Sequence, residues 1–182
     1  CFFDPPWNRP SPTLPLALQS WTLSTAAFYL GIVGRVQEAL EPTRAALEMA
    51  LAAEAWVYAT NIASNLSRLA LALGELVEAL AAAKQAVHYA GRSGDRFLRM
   101  GTHATLADAL HQIGLRKDAT AAFQAAETLQ VERQPDFPLL YSSQGYLYCD
   151  LLRADAERAA WRCMLGSRAS GDHAAIDACE RV

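Results

Sequence analysis

Apolar residues recur at intervals of three and four through most of the chain. Leu66, Leu69, Ala70 and Leu73 mark one segment, and Leu76, Ala79, Leu80 and Ala83 mark the next. Such spacing lines one face of an α-helix. Ala, Leu, Glu, Arg and Gln, which form helices well, dominate, and β-branched runs are few. The pattern predicts helix pairs at 16–32 and 36–53, 55–73 and 76–90, 96–113 and 116–132, and 139–153 and 155–165. A last helix is expected to begin near Asp172.

The punctuation repeats as well. The turns "VGRV", "LGEL" and "IGLR" put Gly34, Gly74 and Gly114 at intervals of 40 residues. A helix that ends in a left-handed residue favours glycine, which has no Cβ to clash. Five residues after each glycine stands an alanine (Ala39, Ala79, Ala119), and seven further on another (Ala46, Ala86, Ala126). These alanines share one face of the second helix, where a small side chain lets the paired helix come close. In a fourth unit the same sites hold Ala154, Ala159 and Gly166, a worn copy of the kind terminal repeats show. Longer joints, "AGRSGDR" (90–96) and "ERQPDFP" (132–138), separate the units, and the prolines of the second enforce a stop. Pro42 is expected to kink the second helix or delay its start.

The fold class that follows is all-α: stacked antiparallel helix hairpins at 14–53, 55–90, 96–132 and 139–165. Residues 166–182 begin a further or capping helix, and the proline-rich 1–13, "CFFDPPWNRPSPT", is an extended leader. A hairpin of this kind cannot bury its apolar face alone; stacking on a neighbour does that.

Composition narrows the function classes. The net charge of −3 offers no basic surface for nucleic acid or an anionic membrane. No apolar run reaches the roughly 18 residues of a membrane helix. The cysteines, Cys1, Cys149, Cys163 and Cys179, form no CxxC pair and read as reduced, mostly buried thiols of a cytoplasmic protein. The chain begins with Cys1 rather than Met and is expected to be a fragment of a longer protein.

Helix, "LG" turn, "EA", helix and a small residue together resemble a tetratricopeptide (TPR) repeat, whose common form is about 34 residues. The longer unit here, with Gly94-Asp95 in the loop between units, is similar to arrays in large bacterial regulators. "ASNLSRLALALGELVEAL", "TLADALHQIG" and "LLYSSQGYLYCDLLRA" resemble the C-terminal sensor arrays of NACHT-bearing, STAND-type signalling ATPases over residues 16–165. The resemblance implies a right-handed superhelix that senses a ligand or partner, with an ATPase elsewhere in the polypeptide. No GxxxxGK[ST] loop occurs, so a nucleotide site would lie outside this chain.

Asn61, Ser64, Asn65 and Arg68 are spaced to share one face of a first helix. In TPR arrays the first helices line the concave groove, and the matching faces would carry Thr105, Asp108 and Gln112, then Tyr141, Gln144 and Tyr148. Asparagine donates hydrogen bonds and arginine grips a carboxylate with two parallel ones, which suits a peptide ligand. A two-carboxylate clamp would want more cations, whereas the next unit offers Asp108.

A second reading is a small molecule between units, in a pocket of Tyr141, Tyr148 and His111. His103 and His111 lack a third ligand at short spacing, so no metal is expected. Cys149 and Cys163 read as core thiols on two facing helices, and Trp21, Trp56 and Trp161 as core aromatics. Arg92, Arg96, Arg99 and Lys84 read as a solvated loop region. Glu75, Glu78 and Asp118 favour the positive ends of helix dipoles. No acid–base pair or nucleophile is placed, so the chain is expected to be a non-enzymatic binder without a cofactor. Its partner would be a protein, a peptide or another domain of its parent, and the stack ends would associate weakly.

Overall fold

The computed structural model describes residues 3–4, 9–166, 174 and 176–177. Among these, seven α-helices follow in order: α1 (Leu16–Ile32), α2 (Val36–Ala52), α3 (Trp56–Leu73), α4 (Leu76–Ser93), α5 (Arg96–Gln112), α6 (Arg116–Arg133) and α7 (Ser142–Met164). A minimal antiparallel pair precedes them, β1 (Phe3–Asp4) with β2 (Arg9–Pro10), in the register Phe3↔Pro10 and Asp4↔Arg9. The first helices start at residues 16, 56 and 96, and their partners at 36, 76 and 116. The forty-residue period is thus kept without drift.

The turns form for the reason the glycines suggest. Gly34, Gly74 and Gly114 sit at φ of +80°, +77° and +85°. The cost of a left-handed L-residue is about 1–2 kcal/mol, which glycine avoids. Between α4 and α5 the chain turns on Gly94, and Asp95 then caps α5. The Asp95 carboxylate accepts from the N–H of Phe97 at 2.8 Å and of Leu98 at 3.0 Å.

Each hairpin closes on its alanines. Ala39, Ala46, Ala79, Ala86, Ala119 and Ala126 are all fully buried. Helices pack within hairpins (α1 on α2, α3 on α4, α5 on α6) and between them (α2 on α3, α4 on α5). First helices also touch along the row: α1 meets α3, α3 meets α5 and α5 meets α7. The core gathers into two clusters. One, around Leu23, Leu47, Ile62 and Leu66, belongs to α1–α4; the other, around Met100, Leu110, Phe123 and Leu151, belongs to α5–α7.

Three expectations fail, and one of the two alternatives for Pro42 is removed. The fourth hairpin does not form, because α7 is one continuous helix of 23 residues. Ala154 stands where the other units have glycine; alanine is the best helix former, so nothing stops the helix there. Cys149 and Cys163 therefore share a helix and lie roughly 21 Å apart along its axis. Cys149 is exposed and Cys163 half-buried, so neither is a core thiol. Trp21 and Trp161 point to solvent, at 56% and 62% exposure, while half-buried Trp56 carries the Arg92 guanidinium 3.8 Å above its ring. Pro42 does not delay α2, which starts six residues before it and runs through it. The helix predicted near Asp172 lies outside the described residues apart from 174 and 176–177, which are helical.

Candidate functional site

The stripe on α3 follows from helical spacing, and its residues reach two neighbouring openings. One is a small polar pocket of about 80 Å³ between α3, α5 and the start of α7. Asn61, Ser64 and Arg68 from α3 line it with Thr105 from α5 and Gln144 from α7. Three helices thus bring five of the ten predicted residues to one place. Gly101, on the α5 wall, has the room for this: a Cβ there would stand 3.9 Å from the Gln144 amide nitrogen.

The second opening is an apolar cavity of about 260 Å³ between α1 and α3. Phe28, Ile32, Leu69 and Ala72 supply its apolar lining, and Asn65 and Arg68 its polar edge. Gly31 faces this opening, where an added Cβ would make ordinary contact with Leu69 at 3.4 Å. Arg68 lines both openings.

Arg68 remains exposed to solvent, yet the protein mass around it disfavours the charge and holds the guanidinium below its ordinary value, against the pull of Asp108. Solvent access combined with desolvation is the condition of a side chain on the floor of a concavity. Arg68 makes no ion pair among the described residues. Asp108 is shifted the other way: burial raises its carboxyl above the ordinary value, opposed chiefly by a hydrogen bond from Gln112 at 3.3 Å.

Several predicted groups are already engaged within their own helices. Asn61 Nδ2 donates to the Val57 carbonyl at 3.0 Å, Ser64 Oγ to Thr60 at 2.9 Å and Thr105 Oγ1 to Gly101 at 3.2 Å. What Ser64 and Thr105 offer a ligand is therefore oxygen lone pairs. Asn61 keeps one N–H.

The two tyrosines stand apart from the polar pocket. Tyr148 stacks on Phe123, with ring centroids 4.6 Å apart, and packs against the second core cluster. Burial raises its phenol above the ordinary value. Tyr141 precedes α7 and donates its hydroxyl to Gln134 Oε1 at 3.0 Å. His111 is buried on α5, its Nδ1 3.6 Å from Asp150 Oδ2. The three have different partners and do not converge.

Sequence reasoning missed the apolar cavity, whose lining is read there only as helix-core spacing. It also missed a cavity of about 280 Å³ at the start of α7, lined in part by Gln130 and Tyr141. Among the described residues no group of three or more His, Cys, Asp or Glu is placed to hold a metal ion. Compared with protein-family models and with curated proteins, the chain matches none.

Proposed function

We propose that this chain is a non-catalytic, TPR-like array, wound as a right-handed superhelix, that holds a peptide or a partner domain along its first helices. The observation that carries the reading is the convergence of Asn61, Ser64, Arg68, Thr105 and Gln144 beside an apolar cavity. The packing supports it: first helices touch along the row, while α2, α4 and α6 make no comparable contact with one another. Closer spacing on one side curves a row toward that side, which puts the first helices on the inside.

The chemistry of the two openings defines the ligand. The cavity of Phe28, Ile32, Leu69 and Ala72 takes an apolar side chain, and Arg68 beside it takes a carboxylate or a main-chain carbonyl. A preformed surface of this kind needs little ordering on binding. In this reading the array is the sensor part of a larger cytoplasmic regulator. No helix among the described residues is long and apolar enough to cross a membrane.

Peptides selected from a randomised library on the wild-type protein test the groove. Asn65→Ala together with Arg68→Ala should weaken the selected peptides tenfold or more, about 1.4 kcal/mol or above. Unchanged affinity with unchanged folding overturns the assignment. Weak self-association belongs to the same reading, because apolar side chains are exposed on α1 (Tyr29, Ile32) and at the end of α7 (Trp161, Met164). Sedimentation velocity should show an average mass that rises with concentration; a constant monomer mass contradicts it.

A further inference from the structure

We propose that the groove selects an extended peptide by three side chains in a fixed order: an apolar one at α1, an acidic one at α3 and a basic one at α5, about three residues apart. This rests on the groove function just proposed and narrows its ligand to a segment with an internal acid–base pair of one polarity.

The first observation is register. Phe28, Arg68 and Asp108 are spaced by forty residues, and each stands twelve residues after the start of its helix at 16, 56 or 96. First helices touch along the row, α1 with α3 and α3 with α5, so the three positions lie side by side at one level. The series ends there, because its next member, Tyr148, stacks on Phe123 instead.

The second observation is the change of chemistry along that row. Helix α1 carries no charged residue. Its Phe28 and Ile32, both exposed, line the apolar cavity of about 260 Å³. Arg68 lines the same cavity and also the polar pocket shared with α5. Asp108 is half-buried and comes one turn beyond Thr105, which lines that pocket from α5. Asp150 of α7 adds a further negative charge that acts on Asp108. The row therefore runs apolar, positive, negative.

Both charges lack an ionic partner. Neither Arg68 nor Asp108 forms an ion pair among the described residues, and the neighbouring His111 instead points its Nδ1 to Asp150 Oδ2, 3.6 Å away. Asp108 accepts from Gln112 at 3.3 Å and keeps further acceptor sites. Burial holds the Arg68 guanidinium below its ordinary value and the Asp108 carboxyl above its own; their pull on each other is a smaller effect. A charge that has already lost part of its water gives up less on binding and attracts an opposite charge more strongly. A ligand carboxylate can meet Arg68 through two parallel hydrogen bonds, and a ligand cation is drawn to Asp108. A ligand with these charges exchanged sets like against like, which costs affinity.

The interval between the ligand side chains follows from dimensions. Packed helices lie about 8–10 Å apart, and an extended chain advances about 3.3–3.6 Å per residue. One step from helix to helix thus takes about three residues.

Titration calorimetry with the peptide Leu-Gly-Ser-Glu-Gly-Ser-Lys, blocked at both ends so that no chain terminus supplies a charge, tests the order. Its reversal, Lys-Ser-Gly-Glu-Ser-Gly-Leu, is included because the row itself has no chain direction. One of the two should bind about tenfold or more tightly than the same peptide with glutamate and lysine exchanged. Replacing the glutamate of that peptide by glutamine should remove most of the advantage. Arg68→Glu together with Asp108→Arg should reverse the preference; should that protein fail to fold, the peptide series on the wild-type protein decides alone. Equal or tighter binding of the exchanged peptides, or no binding of either ordered peptide at millimolar concentration, overturns the proposal. If library-selected peptides are still weakened by Asn65→Ala with Arg68→Ala, the groove stands and only the order falls.

Discussion

Gly34, Gly74 and Gly114 hold positive φ, and so does Glu54, at +50°, in the joint between α2 and α3. The glycines were legible because each interrupts a helical pattern at the same place in a forty-residue unit. Glu54 was not, since glutamate gives no signal of a left-handed turn. The two cases predict opposite outcomes. Gly74→Ala has free space for the methyl but forces an L-residue into the left-handed region, and should cost about 1 kcal/mol. Glu54→Gly should release that cost and stabilise the fold by roughly 0.5 kcal/mol, after the added freedom of the unfolded chain is subtracted. Urea unfolding of both variants measures the difference, and a loss of stability in Glu54→Gly would contradict the strain argument. Gly145 is a different kind of constraint: a Cβ there would lie 2.5 Å from the Leu140 carbonyl oxygen, so the requirement is close approach rather than φ. Nothing in the sequence distinguishes these two uses of glycine.

At the scale of elements, the six helices α1–α6 were readable from period and turn, whereas α7 was not. Reading Ala154 as a worn glycine assumed a turn that only a real glycine or another helix stop would impose. The same error displaced Tyr141. Spacing puts Tyr141, Gln144 and Tyr148 on one face only if all three are helical. The chain is extended at Tyr141, with φ −133°, so this residue stands just before the helix rather than on its face. Only Gln144 of the three reaches the polar pocket, and Tyr148 goes to the core instead. Helix α5 carries two groups that respond to acid in opposite ways. Burial and the nearby Arg99 hold His103 below its ordinary value of 6.5. The folded state therefore binds fewer protons there than the unfolded chain, and this contribution is present above pH 6.5 and lost as pH falls below it. Asp108, raised above its ordinary 3.8, favours the folded state as it takes up a proton, and so opposes the loss at lower pH. His103→Gln should flatten the fall in urea midpoint between about pH 7 and 5. An unchanged slope would mean that His103 titrates in the fold as it does in the unfolded chain.

The molecule as a whole divides where its core divides. In α1–α4, Leu23, Leu47, Ile62 and Leu66 pack with Ala82 and Ala86; in α5–α7, Met100, Leu110, Phe123 and Leu151 pack with Ala119 and Ala126. Helices α4 and α5 are in contact across the boundary, and Leu80 of α4 packs against the second cluster, so the halves are joined rather than independent. In a row whose units meet only their neighbours, stability is close to a sum of unit and interface contributions. A disturbance should then stay mostly on its own side. Ala86→Leu crowds a fully buried site in the first cluster and Ala126→Leu its equivalent in the second, each at about 1–3 kcal/mol. Native-state hydrogen exchange resolves the consequence residue by residue. The first variant should speed exchange in α3 and α4 more than in α6, and the second should do the reverse. Equal acceleration throughout by either substitution would mean one cooperative core spanning all seven helices. Such a core would also tie the groove at α3 rigidly to the cavity at α7, whose walls already share Phe97 and Gln144 with the polar pocket.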